Sequence, residues 1–509
     1  MKRFTFLLAV LVALCATLVV TQPSAQASLF GKSAASPSPS PSPSALPTAT
    51  PEPPSVAIPK LQAKLKANPN DQDSMTLLAG QFLTIGRPDL AVQLTQHLLQ
   101  MGDKNAQVYY LDGYAMDALG HDDVAIGDLE AAENLDPSNL GVLQQLEQLY
   151  LKANRFTDAE RIANRSVVLN KGDAQSYSML GAVYAAEQKY DDARKQFELA
   201  AAKDPKAPDP IIQIAQTYAA QNNIPIALQQ VSRALALDPK NLQALVFKAD
   251  LYARQHADDQ TSAAYDDAIV AAPDDAQKVQ IVIRKAAYFV QEKKNSQAET
   301  IFLQGIAQYP KVPQIYVAYG DFLASQKNLD KAKTEWQAAL AIDNTNVDAL
   351  TRLAQLSMQQ QKYQDAVGYL KRVTTAQPDP SAFAMLGQAY SYLHDYPDSK
   401  DACSQSFKLQ RTPEMLGCIA GADFELKNYK EAAQIFDVLD NNAKGFLDQN
   451  PQLLYVAGQC YQQTKQRTKA ITAYKRLLVK MNKGTKEYAK IQGYIADLSK
   501  PAATAKKPR

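Results

Sequence analysis

Residues Asp173–Pro205 read DAQSYSMLGAVYAAEQKYDDARKQFELAAAKDP. Counting Ala174 as position 1, Tyr177, Leu180, Gly181 and Tyr184 occupy positions 4, 7, 8 and 11, and Ala193, Phe197, Ala200 and Pro205 occupy positions 20, 24, 27 and 32. Within each group the apolar residues recur at intervals of three and four, which on a helix of 3.6 residues per turn places them on one face. The spacing therefore predicts two amphipathic helices, the second starting near Asp191. Gly181 and Ala193 are small where the two helices cross closely, and Pro205, which cannot continue a helix, opens the next turn.

The same register runs in both directions. From Gln72, position 1 recurs at Ala106, Leu140, Ala174, Pro208, Leu242, Val279, Pro313, Val347, Pro380, Pro413 and Pro451, giving twelve repeats. Each step is 34 residues except those into Val279 (37), Pro380 and Pro413 (33 each) and Pro451 (38), and the added residues are expected in surface turns. Pro59–Asn68 reads as a lone helix in phase with the first repeat. Thr485–Lys500, with Tyr488, Ile491 and Ile495 on one face, reads as a closing helix, because the ends of a stacked array must shield their last apolar faces.

This spacing resembles the tetratricopeptide (TPR) repeat of exported bacterial proteins. Ile214, Ala215, Tyr218, Ala227 and Pro239 match it well, as do Tyr319, Gly320, Ala332 and Trp336; the sixth repeat is weaker, with Lys248 at position 7 and Thr261 at position 20. The resemblance implies an all-α fold, a TPR solenoid that winds as a right-handed superhelix of helix-turn-helix repeats over residues 59–500. A solenoid grows without a single central core, so the sustained period overrides the roughly three domains that 509 residues would otherwise suggest.

The flanks read differently. Lys2 and Arg3 precede an apolar run from Phe4 to Val20 and then Ala25-Gln26-Ala27, the layout of a signal peptide over residues 1–27 with Ser28 first after cleavage; the alternative is an uncleaved membrane anchor. Residues 28–58 hold the run from Ser36 to Pro43 of alternating Ser and Pro, a disordered, extended linker. Residues 501–509 form a basic tail. The expected location is therefore the periplasm or the extracellular space. The net charge of +2 argues against nucleic acid as a partner. From Lys465 to Arg509, however, thirteen Lys or Arg stand against Glu487 and Asp497, a net of +11 that leaves −9 for the rest. This basic C-terminus predicts weak contact with an anionic envelope surface.

Catalytic constellations are missing from the sequence, and the chain reads as a non-enzyme needing no cofactor or metal. His97, His121, His256 and His394 fall in different repeats, mostly near turns, so no two converge. The acid pairs Asp122-Asp123, Asp191-Asp192, Asp258-Asp259 and Asp274-Asp275 recur at expected helix starts, where they favour the positive helix end and cap free N–H groups. Cys403 at position 24 of the tenth repeat and Cys418 at position 6 of the eleventh lie on adjoining helices, so a disulfide between them is sterically open. The other reading is that these two and Cys460 are buried thiols.

In TPR proteins the first helices line a groove through positions 2, 5, 9, 12 and 13. By that resemblance the groove candidates here are Tyr110, Tyr114, Gln144, Gln148, Gln216, Asp250, Gln355 and Gln388. The family's carboxylate clamp needs Lys at position 5 and Asn at position 9, a pair that no repeat carries. The expected function is a protein-protein interaction scaffold holding a peptide or protein ligand in a neutral, amide-rich groove. An accessory role in envelope assembly or polysaccharide export, binding glycan or outer-membrane machinery, is the alternative.

Overall fold

A computed structural model describes residues 52–500, and among them there are twenty-seven helices and no strand. The expected signal peptide, most of the expected linker and the expected basic tail lie outside the described residues. Among those described, no helix is long and apolar enough to cross a membrane. The chain divides into two compact units, 52–281 and 282–500.

In the N-terminal unit the first helices of the pairs run Gln72–Thr84, Ala106–Ala118, Leu140–Lys152, Ala174–Ala186, Asp209–Ala220 and Leu242–Arg254, each followed by a second helix of 13 or 14 residues. Most begin at the predicted position 1; the fifth starts one residue late because Pro208 serves as its N-cap. Helix Asp275–Gln291 starts four residues ahead of Val279, and Asp274 caps it by accepting from the Gln277 N–H at 2.8 Å. The three extra residues of that step therefore add a helical turn instead of lengthening a surface turn. In the C-terminal unit the first helices Pro313–Ser325, Val347–Gln359, Pro380–Tyr392, Pro413–Glu425 and Pro451–Gln463 keep the predicted starts. The 38-residue step into Pro451 holds a short helix, Phe446–Gln449.

Both closing helices are present. The N-terminal one is Pro54–Ala67, so residues 54–58 of the expected linker are helical: Pro54 suits the first turn, and burial of Ala57 and Leu61 holds the helix through the interior Pro59. The C-terminal one is Lys486–Ser499, capped by Thr485 and seated through Ile491. The acid pairs act less as caps than expected. Asp122-Asp123, Asp191-Asp192 and Asp258-Asp259 sit in the first turn of helices with no side-chain cap bond, where they complement the helix dipole, and only Asp274 caps.

Two rules recur in the packing. The first is a size match between positions 8 and 24 of one pair. A Cβ built on Gly113, Gly181, Gly320 or Gly458 would fall within 2.7 Å of Leu129, Phe197, Trp336 or Tyr474. In the third pair the sizes are exchanged: Glu147 holds position 8 and Ala163 position 24. The second is the turn between the helices. In every one of the twelve pairs residue 15 is left-handed, with φ from +55° to +78°, and the N–H of residue 16 reaches back to the carbonyl of residue 11. This is the Schellman closure of a helix end. Only Gly86 and Gly120 are glycines at that position; the rest include Asn154, Lys327 and His394.

Candidate functional site

Tyr110 and Tyr114 lie one turn apart on Ala106–Ala118, their rings tilted at 55° with centroids 6.4 Å apart. Both are half-buried. Tyr110 packs against two core clusters, one holding Leu143 and Leu146 and the other Leu111 and Phe82, and its hydroxyl stands where a Cβ on Gly141 would be 3.1 Å away. Burial, with Tyr114 adding to it, raises the Tyr110 hydroxyl above its ordinary pKa. Tyr110 is thus largely a core residue whose edge reaches the face, and it cannot be removed without touching the packing.

On the next helix Gln144 is half-buried and Gln148 exposed. Beside them Gln145 turns inward and donates to Asp117 at 2.6 Å. Further along, Gln216 is half-buried and Gln355 exposed, but Gln388 is only 4% exposed and presents nothing to a ligand. Asp250 is engaged: its carboxylate accepts the Tyr265 hydroxyl at 2.7 Å. This is one case of a pattern, since Asp321 accepts from the Trp336 indole N–H at 3.2 Å and Gln459 donates to the Tyr474 hydroxyl at 2.6 Å. In all three a position-9 side chain serves the position-24 aromatic of its own pair, 15 residues on. Asp321 also accepts a two-pronged bond from Arg352 on the following first helix.

The uncommitted amides stand out against this background. In the N-terminal unit Gln107, Gln148, Gln175, Gln216 and Gln243 supply one glutamine per pair from the second to the sixth, alternating between positions 2 and 9. None hydrogen-bonds to another described residue, and Gln148 and Gln175 are exposed while the others are half-buried. Positions 2 and 9 are seven residues apart, two helical turns on one face. Sequence reasoning found the position-9 members and passed over Gln107, Gln175 and Gln243, although the same face rule points to them.

Among the described residues no group of three His, Cys, Asp or Glu could hold a metal ion. A cleft of about 310 Å³ opens between the second helix of the fourth pair and the fifth pair, lined by Ala201, Ile211, Ile214, Tyr218, Glu198 and Arg233. It exists because Ala201 stands at position 28, where other pairs carry Leu99, Val167, Leu235 or Leu340.

Tetratricopeptide-repeat family models match residues 148–208, 212–276 and 451–478, and the model of the middle TPR-like domain of cilia and flagella-associated protein 70 matches residues 286–410. The chain is a tetratricopeptide-repeat protein, an all-α TPR solenoid. No curated protein matches its sequence. Solved structures similar to it include yeast Tom70, at 16% identity and a TM-score of 0.37 over 73% of this chain and 92% of that one. A Naa15/Naa10 complex bound to HypK-THB is 14% identical with a TM-score of 0.33 over 86% and 74%. A thermophilic TPR protein of Thermus thermophilus is 22% identical with a TM-score of 0.31 over 35% and 98%.

Proposed function

We propose that this protein is a non-enzymatic scaffold that holds an extended stretch of polypeptide along the first helices of its N-terminal unit. TPR proteins generally bind protein partners, which supports the class; the row of uncommitted glutamines supports the mode. Each amide can both donate to and accept from a peptide backbone, so such a row reads main chain more than side chain. On this face Asp250 is bound to Tyr265 while Asp73 and Asp209 at position 2 stay exposed, which fits a ligand that is neutral or slightly basic. The partner is a segment of low net charge, and acidic C-terminal tails, which need the Lys and Asn pair, are poor ligands.

The test uses an array of neutral peptides of about 15 residues, the length needed for some three residues per glutamine over five pairs. Each lost hydrogen bond costs about 1 kcal/mol, so Gln148→Ala, Gln175→Ala and Gln216→Ala combined should weaken array binding about a hundredfold with helicity unchanged. Unaltered binding by the triple variant rejects the mode. Export is part of the same proposal. A disulfide joins Cys403 to Cys418, which supports an oxidising compartment, and N-terminal sequencing of the secreted protein should return Ser28. Recovery of Met1 would instead place the protein on a membrane anchor.

A further inference from the structure

The structure sorts the basic residues between Lys465 and Lys500 into two groups. Lys469 pairs with Asp437, Arg476 with Asp440 and Asp448, and Lys500 with Asp497, while Arg467 donates to the carbonyls of Leu498 and Lys500. Lys465, Lys475, Lys480, Lys483, Lys486 and Lys490 form no ion pair among the described residues, Lys480 only adding to the field of Arg476 on Asp448, and all six are exposed. Against them stands a single unpaired acid, Glu487. Four of the six fall between the end of helix Arg467–Val479 and the first half of the closing helix. Lys486 and Lys490 are one turn apart, and the Lys490 ammonium rests 5.7 Å from the Tyr494 ring centre. Among these charges Val479 is 81% exposed, one turn beyond Lys475.

We propose that this edge docks on an anionic phospholipid surface. Lysines are point charges without the two-pronged geometry that selects one carboxylate or phosphate, and they are spread over a loop and a helix face instead of converging on a pocket. That arrangement suits diffuse negative charge, and an exposed valine next to Lys480 gains from an apolar layer beneath the headgroups, which an anionic polysaccharide lacks.

The experiment is co-sedimentation of the chain from Ser28 to Arg509, without the apolar run Phe4–Val20, with vesicles of phosphatidylcholine alone or with about one-third phosphatidylglycerol, at low and high salt. Binding should require phosphatidylglycerol and weaken with salt. Each lysine near such a surface contributes about fivefold to partitioning, so Lys480→Gln, Lys483→Gln, Lys486→Gln and Lys490→Gln together should lower it by about several hundredfold. Val479→Ser alone should lower it severalfold. Neutralising Lys189, Lys195, Lys203 and Lys206 instead, an equal change of net charge, should leave it nearly intact. Equal binding to neutral vesicles, no binding at all, or an equal loss from both sets of substitutions overturns the proposal. Capture on dextran sulfate beads without binding to vesicles overturns it too, in favour of a glycan partner.

Discussion

At the scale of single residues, Glu147 and Asp128 stand apart because each is a carboxyl deprived of any cation. Glu147 is 5% exposed and its Oε1 has no partner; burial pushes its pKa up to about 8. Burial first, and then the neighbouring Asp112, push Asp128 to about 7, while Asp112 itself accepts the Thr95 hydroxyl. Unfolded, these groups titrate near their ordinary 3.8 and 4.5. Between those values and about 7 or 8 the folded chain binds more protons than the unfolded one, so stability must fall as pH rises through that window. The N-terminal unit should therefore melt higher at about pH 5 than at about pH 8. Glu147→Gln should raise the melting temperature at the higher pH, removing a penalty on the order of 3 kcal/mol, and change little at the lower; an unchanged pH slope in that variant would show Glu147 to be paired in solution. The left-handed residues at position 15 make a second residue-scale prediction. Lys327, at φ +63°, carries a side chain where glycine is unstrained, so Lys327→Gly should stabilise by about 1 kcal/mol, and Gly120→Ala should cost a similar amount. Thermal melts of the two variants check both signs.

At the scale of the helix pair, what matters is complementarity across a fixed interval. Gly181→Ala puts a Cβ within 2.5 Å of the Phe197 ring, and forcing the two helices apart should cost about 1–3 kcal/mol. Adding Phe197→Leu should recover most of it; a double variant no better than the single one would mean that the contact is not what is strained. The same interval explains how far the sequence could be read. Helix starts at residues 72, 106, 174, 313 and 380 were legible because small residues at position 8 and proline or a capping residue at the boundary mark a helix crossing and its end. The extra turn at Asp275 was hidden because an added turn and a longer loop lengthen the period equally. Asp250 looked like a groove residue for a similar reason: its side chain alone does not tell whether it faces a ligand or its own pair. The signal lay 15 residues on, in the coincidence of Asp250 with Tyr265, Asp321 with Trp336 and Gln459 with Tyr474. The positive-φ turn left almost no trace, because only two of twelve positions spell it as glycine.

For the molecule as a whole, each pair leans mainly on its neighbours, so local changes should stay within one unit. The Cys403–Cys418 bridge closes a 15-residue interval between the tenth and eleventh pairs, worth about 3 kcal/mol. Reduction should therefore lower the stability of the C-terminal unit alone, which limited proteolysis with and without reductant would reveal as new cleavage after residue 282 only; equal loosening of both units would contradict a nearest-neighbour solenoid. Which interactions cross between pairs also bears on how such a chain lengthens over generations. The exchange of Glu147 for a small residue and of a bulky one for Ala163 is settled inside the third pair, so a gene duplication copying codons 140–173 would carry both halves of the compensation and yield a sound extra module. A duplication of codons 380–412 would copy Cys403 without Cys418 and leave an orphan thiol at the new seam. The tenth and eleventh pairs are thus inherited as one block, whereas the third is free to multiply.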